Sequence, residues 1–530
     1  MWRFLRKAKS KISRQDSPAF KPSSESSPSP TLTSSLRHNL ELMRNILGTS
    51  GDVVVREFTL GTQTRSTAAL VFVDGLVNKS IINEGIIKPL MYDTYLMDNT
   101  QIPLDVNFIK EALLAVGDVK GKKTIDEIIA ALLYGNTILL VDGIAIALDI
   151  DTKGWDSRSI EEPKIEQSVR GPREGFTETL RSNTALLRRK IQNPNLTMEH
   201  MVIGNKTHTL VCLAYLKGLV HPALLKEVKR RLKLINTDAI LESGYIEEFI
   251  EDAPYSPFAT IGNSEKPDRV AARILEGRIA LLVDGTPFVL TVPMLFLEGF
   301  QAAEDYYSRP YYASFIRILR FFAFFVTLLA PALYVALESY SPELVPTPLL
   351  ITMAAAAEGT PFPAVMETIL MGVIFEILRE GGIRLPTPIG PALSIVGALI
   401  IGDAAVSAGL IGAPLVIVIA ITAVSSFMVV THTDAVTLLR FVLVILAGLM
   451  GFFGIGIGLL GILIHLCALR SFGVPYLAPL PTMTWNSFRD SFIRAPFKTL
   501  LKRWINVSDL DPERQAFRLD TKANPGETLP

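Results

Sequence analysis

The chain has 530 residues, 52 basic and 52 acidic side chains, and only two cysteines. Zero net charge gives no electrostatic case for a nucleic-acid partner. Cys212 and Cys467 lie far apart, which excludes a disulfide framework and a cysteine-rich metal site. Apolar residues make up 49% of the chain and mean hydropathy is +0.34, an excess concentrated in the last third.

The opening MWRFLRKAKSKISRQ is too charged for a secretory signal and has no apolar core. Trp2, Phe4 and Leu5 beside Arg3, Arg6, Lys7, Lys9 and Lys11 suit either a basic anchor on anionic membrane lipid or a solvated tail. Residues 16–35 are rich in Ser and Pro and read as disordered linker, so residues 1–38 form a tail without a core.

The next part of the sequence echoes itself. Residues 68–91 and 211–234 each run from an apolar strand through x-Gly-Leu-Val into a helical pattern. Residues 132–150 and 274–292 each carry LLVDG between β-branched runs, which predicts hairpins turning at Asp142-Gly143 and Asp284-Gly285. Gly75 and Gly218 are 143 residues apart, and Asp142 and Asp284 are 142 apart. The matched offsets argue for a duplicated α/β unit: one subdomain over 39–160 and a second over 201–308. A basic helical linker over 161–200 joins them. It contains Arg170, Arg173, Arg181, Arg188 and Arg189. Arg170 and Arg173 are candidates for binding an anion at a helix start; the alternative is a linker salt-bridged to Glu161, Glu162 and Glu166.

No Walker A loop, H-E-x-x-H or nucleophile elbow occurs, so the sequence offers no catalytic constellation. The six histidines show no metal-ligand spacing. Neither cofactor nor metal is expected.

From residue 309 to 470 the chain changes character. Apolar segments at 315–337, 347–378, 388–408, 410–431 and 437–469 predict a multi-pass helical domain, since a span takes roughly 20 apolar residues. The last segment is long enough for a hairpin broken at the glycines near 451–458. Gly454 and Gly458 suit close helix contact. The second segment is interrupted by Glu358-Gly-Thr-Pro-Phe-Pro363, as in a broken or re-entrant helix. Arg317, Arg320 and the basic tail over 471–530 put the head and C-terminus in the cytoplasm by the positive-inside rule. The expected fold is therefore an α/β soluble head of two similar subdomains followed by an α-helical multi-pass transmembrane domain.

An acid in a membrane segment is costly and is a functional candidate by default. Glu367 with Thr368, Glu376 and Asp403 are the pore or gating candidates. Each has a plain structural alternative. Glu367 can make an inter-helix hydrogen bond, Glu376 can pair with Arg379, and Asp403 can sit in a loop.

Four strings carry a family resemblance: NLELMRNILGTSGDVVVREF (39–58), SVRGPREGFTE (168–178), the stretch EDAPYSPF…LTVP (251–293) and TPFPAVMETI…IGDAAV (360–406). In these the chain resembles the A subunits of bacterial spore germinant receptors, the GerA family, over about residues 39–505. The resemblance implies a multi-pass protein of the spore inner membrane. It implies a permease-like B subunit and a lipoprotein C subunit as partners, with nutrients bound chiefly through B. It also implies a homo-oligomeric, nutrient-gated cation channel that acts early in germination. No ligand residues follow from it. A secondary transporter, or a paralogous germination protein acting at dipicolinate release, are the competing readings.

Overall fold

Four short apolar runs, TAALVFV, TILLV, TLVCLAYL and IALLV, seed two sheets. A computed structural model describes residues 30–48, 50–60, 66–93, 108–116, 119–154, 170–384, 402–480 and 490–496. In it the strands β1 (Val53–Leu60), β2 (Ser66–Val73), β3 (Val119–Lys122), β4 (Thr137–Val141) and β5 (Ala147–Ile150) form a five-stranded sheet in the order β1-β2-β4-β5-β3. The strands β6 (Leu196–Ile203), β7 (Thr209–Leu216), β8 (Gly262–Ser264), β9 (Ile279–Val283) and β10 (Val289–Val292) repeat it as β6-β7-β9-β10-β8. Every recorded strand pairing in both sheets is antiparallel. The two LLVDG hairpins occupy the same place in their sheets.

Because the central strands are apolar over most of their length, successive side chains feed two cores, one on each face. In β2, Ala69, Val71 and Val73 pack with α1 (Leu36–Leu47) and α2 (Ile125–Leu133). Ala68, Leu70 and Phe72 face the π-helical segments Ile81–Ile87 and Pro89–Asp93. In β7, Cys212 and Ala214 pack with α3 (Leu180–Lys190) and α6 (Pro267–Ile274). Val211, Leu213 and Tyr215 pack with α4 (Pro222–Leu234) and α5 (Ser243–Ile250). Leu70 and Leu213 are fully buried, so truncating either to Ala costs about 2–5 kcal/mol.

The duplication starts earlier than the sequence echoes suggest. Asp142 accepts a hydrogen bond from Leu36 N at 2.9 Å, and Asp284 accepts one from Leu180 N at 3.0 Å. Each LLVDG aspartate thus sits at the positive end of the helix that opens its own repeat. Asn39 and Asn183 close matching loops, donating to Thr33 O at 2.7 Å and Thr177 O at 2.6 Å. The helix expected as a linker within 161–200 is therefore α3, the opening helix of the second repeat.

The tail expected over 1–38 also ends sooner. Leu32 is buried in the first core, Leu32 N donates to Lys123 O at 3.0 Å, and α1 begins at Leu36. Composition misses this because one leucine in a Ser/Pro-rich stretch gains its partner only from the distant β3–α2 corner. The basic N-terminal segment lies outside the described residues, as do Glu161, Glu162, Glu166 and most of the 388–408 segment.

After the head come α7 (Pro310–Ser339), α8 (Thr347–Glu358), α9 (Ala364–Arg384), α10 (Ala413–Ser426) and α11 (Thr433–Ala468). The break expected at 358–363 is present between α8 and α9. Among the described residues, the stretch Val430–Ala468 and α7 are long enough and apolar enough to cross a membrane. However, α11 is not a straight rod. Gly451 has φ +58°, outside helical geometry. A Cβ on Gly458 would collide with Leu443 and Leu446, although 15 residues of straight helix would hold positions 443 and 458 roughly 22 Å apart. The chain reverses at Gly451, and α11 is a helical hairpin whose tight packing uses Gly454 and Gly458.

Candidate functional site

The helical region has two ends, and named contacts fix each. At the head end, Arg317 in the first turns of α7 pairs with Asp305 at 3.2 Å and also donates to Asp490 O and Ser491 O. The His432 ring, between α10 and α11, stacks on Phe296 with centroids 4.9 Å apart, and its Nε2 lies 3.1 Å from Phe296 O. His465, near the end of α11, is hydrogen-bonded to Ser256 at 2.9 Å. Just beyond it the short hairpin Arg470–Pro475 returns to the second repeat: Ser471 Oγ donates to Thr260 O at 2.6 Å. At the far end, the Tyr340 hydroxyl donates to Gly448 O at 2.8 Å, and its ring lies 2.9 Å from where a Cβ on Gly451 would stand.

These contacts set the directions. α7 and the first half of α11 lead away from the head, and the second half of α11 returns. α9 runs antiparallel to the first half of α11, with Val365 against Gly448 and Arg379 near Thr437. α10 also ends at the head. Arg317 is fully buried and Arg320 is tied to Asp305 and Phe300 O. Both arginines expected to read membrane orientation are thus spent on internal pairing. The same network independently holds residues 490–491 at the head end.

The acids now separate. Glu367 is only 4% exposed and accepts a hydrogen bond from Gly412 N at 3.2 Å. Gly412 is the N-cap of α10, whose first turn presents unpaired N–H groups and a partial positive charge. The hydrogen bond joins α9 to α10. The neighbouring Thr368 hydroxyl is buried and has no hydrogen-bond partner among the described residues. Glu376 bridges two cations, Arg379 at 2.7 Å and Arg440 at 2.7 Å. That bridge couples α9 to α11 and answers the pairing that the i,i+3 spacing predicts, with Arg440 added. Asp403 is exposed, in a helical stretch described over 402–407. It is not the buried acid the apolar sequence around it suggested, because flanking hydropathy does not report which face a residue takes. The structure brings Glu367 together with Gly412, and Glu376 with Arg440, but joins neither to Asp403.

In the head, Arg170 and Arg173 are exposed and precede α3 by several residues. At the N-terminus of α3 the negative group is the protein's own Asp284. The other arginines of this stretch make structural pairs: Arg181 with Asp74 at 2.6 Å and Arg189 with Glu174 at 3.1 Å. Arg188, 1% exposed, donates to both Asp52 oxygens at 2.7 and 3.0 Å and to Ser50 Oγ at 2.8 Å. Burial works against the charge on Asp52, but the hydrogen bonds and charge of Arg188, with the Ser50 hydroxyl, outweigh it and hold the carboxyl below its ordinary range. Sequence reasoning named Arg188 only as part of a basic run; its partner lies 136 residues upstream, beyond any local signal. Among the described residues no group of three or more His, Cys, Asp or Glu is placed to hold a metal ion.

Comparison with known proteins now bears on this arrangement. Residues 41–505 match the family described as Bacillus/Clostridium GerA spore germination protein. The spore germination protein KA of Bacillus subtilis (strain 168) is 45% identical over 91% of this chain and 89% of its own length. A membrane protein of the same organism, YfkQ, is 42% identical over 93% and 95%. The crystal structure of the N-terminal domain of the A subunit of the Bacillus megaterium spore germinant receptor GerK3 aligns with 51% of this chain and 98% of that domain, at 37% identity and a TM-score of 0.40. A family match over most of the chain, joined by relatives identical at more than two positions in five across nine-tenths of it, is decisive: the chain belongs to the GerA family of spore germination proteins.

Proposed function

We propose that this protein is the A-type subunit of a nutrient germinant receptor in the spore inner membrane. Its helices cross the bilayer, and copies of the chain assemble around a cation pathway that opens when nutrient binds the receptor. The partners in this reading are a permease-like B subunit and a lipoprotein C subunit. The head and C-terminal segment lie on the cytoplasmic side.

The observation that carries the reading is the way the helices return to the head. The start of α7, the α10–α11 junction and the end of α11 are all seated on the second repeat or its junction, through Arg317, His432, His465 and Ser471. A displacement of the head therefore reaches several helix ends at once, as gating requires. Exposed apolar side chains on the outer faces of α7 and α11, including Phe322, Phe325, Val442 and Leu460, support a lipid or subunit contact. Glu367, buried beside the α8–α9 break, is the residue proposed to influence cation passage.

The test is reconstitution of the chain with its B and C partners in vesicles, reading potassium or sodium efflux on nutrient addition. Nutrient-dependent efflux that disappears without this chain supports the reading. Efflux undiminished by its omission defeats it. The broken α8–α9 segment also favours a secondary transporter. That reading predicts saturable transport coupled to a proton or sodium gradient in place of gated efflux.

A further inference from the structure

At the end of the bundle away from the head, Gly448 of α11 sets a level that α7 and α9 share. The Tyr340 hydroxyl of α7 donates to its carbonyl at 2.8 Å, and Val365 of α9 fills the space where a Cβ on Gly448 would stand. Glu338 precedes Tyr340 by two residues and Thr368 follows Val365 by three, so both lie within one turn of that level, on the head side. Glu367 is next to Thr368 and accepts from Gly412 N, where α10 begins. Glu338 and Glu367 are close enough to act on each other electrostatically. Both act on Tyr334, whose hydroxyl is within hydrogen-bonding reach of Glu338.

Two oxygens here are left over. Glu338 Oε2 and Thr368 Oγ1 are buried and have no hydrogen-bond partner among the described residues, and Thr368 is only 2% exposed. On α9, Glu367 meets α10, while Val365 and Gly372 meet α11 at Gly448 and Phe441. At about 100° per residue, Thr368 falls between those contacts, on the face of Met371 and Phe375. That face packs in the core with Val335 of α7. No Lys, Arg or His occurs between Arg320 and Arg379 or between Arg384 and His432. Arg440 of α11 is held by Glu376. The further acids of this end, Glu343 and Glu358, are exposed and add negative charge. Two enclosed carboxylates cannot both stay ionised without a positive guest. A buried, unpartnered hydroxyl beside them completes an all-oxygen set, which suits a hard cation. The positive end of α10 at Gly412 already offsets part of the negative charge, so a guest of one charge matches better than one of two.

We propose that Glu338, Glu367 and Thr368 hold a monovalent metal cation, sodium or potassium, where α7, α9 and the start of α10 meet. The cation ties α7, the helix seated on the head through Arg317, to the α8–α9 break. The proposal deepens the cation role given to Glu367 above and rests on it for the class of ligand.

The experiment follows thermal unfolding of the full chain in mild detergent, at fixed pH and ionic strength, in sodium, potassium or choline chloride. Wild type is expected to melt higher in sodium or potassium than in choline, and the gain should saturate with concentration. Thr368→Val keeps the shape and removes the oxygen. It should raise the half-saturating cation concentration about tenfold, the loss expected for one buried polar ligand. Its melting in choline should be no lower than wild type, which separates lost binding from misfolding. Glu338→Gln combined with Glu367→Gln should melt alike in all three salts. Equal melting of wild type in the three salts overturns the proposal, as does a response unchanged in Thr368→Val or one that survives the double substitution. Stabilisation by calcium alone overturns the monovalent assignment. Melting that shifts with pH but not with salt replaces the cation by a shared proton. A cation response without nutrient-dependent efflux defeats the channel reading and leaves the site standing; efflux without a cation response defeats the site alone.

Discussion

Arg188 of the second repeat grips Asp52 of the first with two hydrogen bonds, at 2.7 and 3.0 Å, in a place where almost no water reaches either group. The bond is the polar centre of the seam between the repeats. Nearby, Gly51 N donates to Met198 O at 2.8 Å and Arg181 reaches back to Asp74. Geometry of this kind fixes how the repeats are set against each other more than it adds net stability, because desolvating both ions offsets much of their attraction.

Removing one partner is a different matter. Arg188→Met or Asp52→Leu leaves a buried charge alone and should destabilise the head by about 3–5 kcal/mol, read by denaturant unfolding. The double substitution should recover much of the loss. Asp52 also sets an acid limit. Its folded pKa lies below the unfolded value, so its contribution is present above the unfolded pKa and is lost as pH falls through the folded one. Asp52→Asn should flatten that acid slope.

Glu247 predicts the opposite slope. Burial, then Glu251 and Glu242, raise it from 4.5 to about 7. The folded state holds its proton more tightly than the unfolded chain, so stability is greatest below the unfolded pKa and falls as pH rises towards about 7. Glu247→Gln should match wild type at pH ~5 and melt higher at pH ~8. A melting difference that does not change with pH would remove Glu247 as its cause.

Gly451→Ala tests the helical hairpin. The left-handed backbone, φ +58°, disfavours any side chain, and Tyr340 stands 2.9 Å from the added carbon. The strain alone is on the order of 1 kcal/mol or more. Reduced accumulation of the protein is expected, with partial recovery at most on adding Tyr340→Ala, which removes the ring but keeps the Tyr340 Cβ, itself 2.9 Å from the added carbon. Normal levels of Gly451→Ala would mean that the turn is not as tight as drawn.

Glu367 and Glu376 should respond differently to the same change. Glu367→Gln keeps an acceptor for Gly412 N but removes the carboxyl group, so protein levels should hold while cation efflux or germination rate changes. Glu376→Gln leaves Arg440 and Arg379 facing each other with no carboxylate, so protein levels should fall. The reverse pattern, with levels falling for Glu367 and efflux altered for Glu376, would exchange their roles.

Much of this architecture was legible in the sequence, for definite reasons. The strands of each repeat are short apolar runs ended by Asp-Gly, and such turns are local. The duplication showed through because both LLVDG turns repeat the same task at Leu36 and Leu180. The break before Glu367 and the reversal near Gly451 were legible because Pro and Gly punctuate helices locally. What stayed hidden depended on distant partners. Nothing near Arg188 points to Asp52, nothing near Glu376 points to Arg440, and Asp403 looked buried only because its neighbours are apolar. Leu32 illustrates the same limit, a single anchoring residue within a stretch whose average composition says disorder.

The edge just after β2 is walled by α3, while the matching edge after β7 is walled by the Arg470–Pro475 hairpin, beside His221 and Asp252. Each repeat thus hands the same face to whatever follows it. The first repeat leans on the second, and the second leans on a loop that begins just past the end of α11. Contacts thus run in series from the first repeat, through the second, to the helices. A twist applied at the outermost repeat has an unbroken mechanical route, by way of the Arg188 grip, to the helix that turns at Gly451. Loosening the first coupling should part the motions of the two repeats, and loosening the second should part the head from the helices.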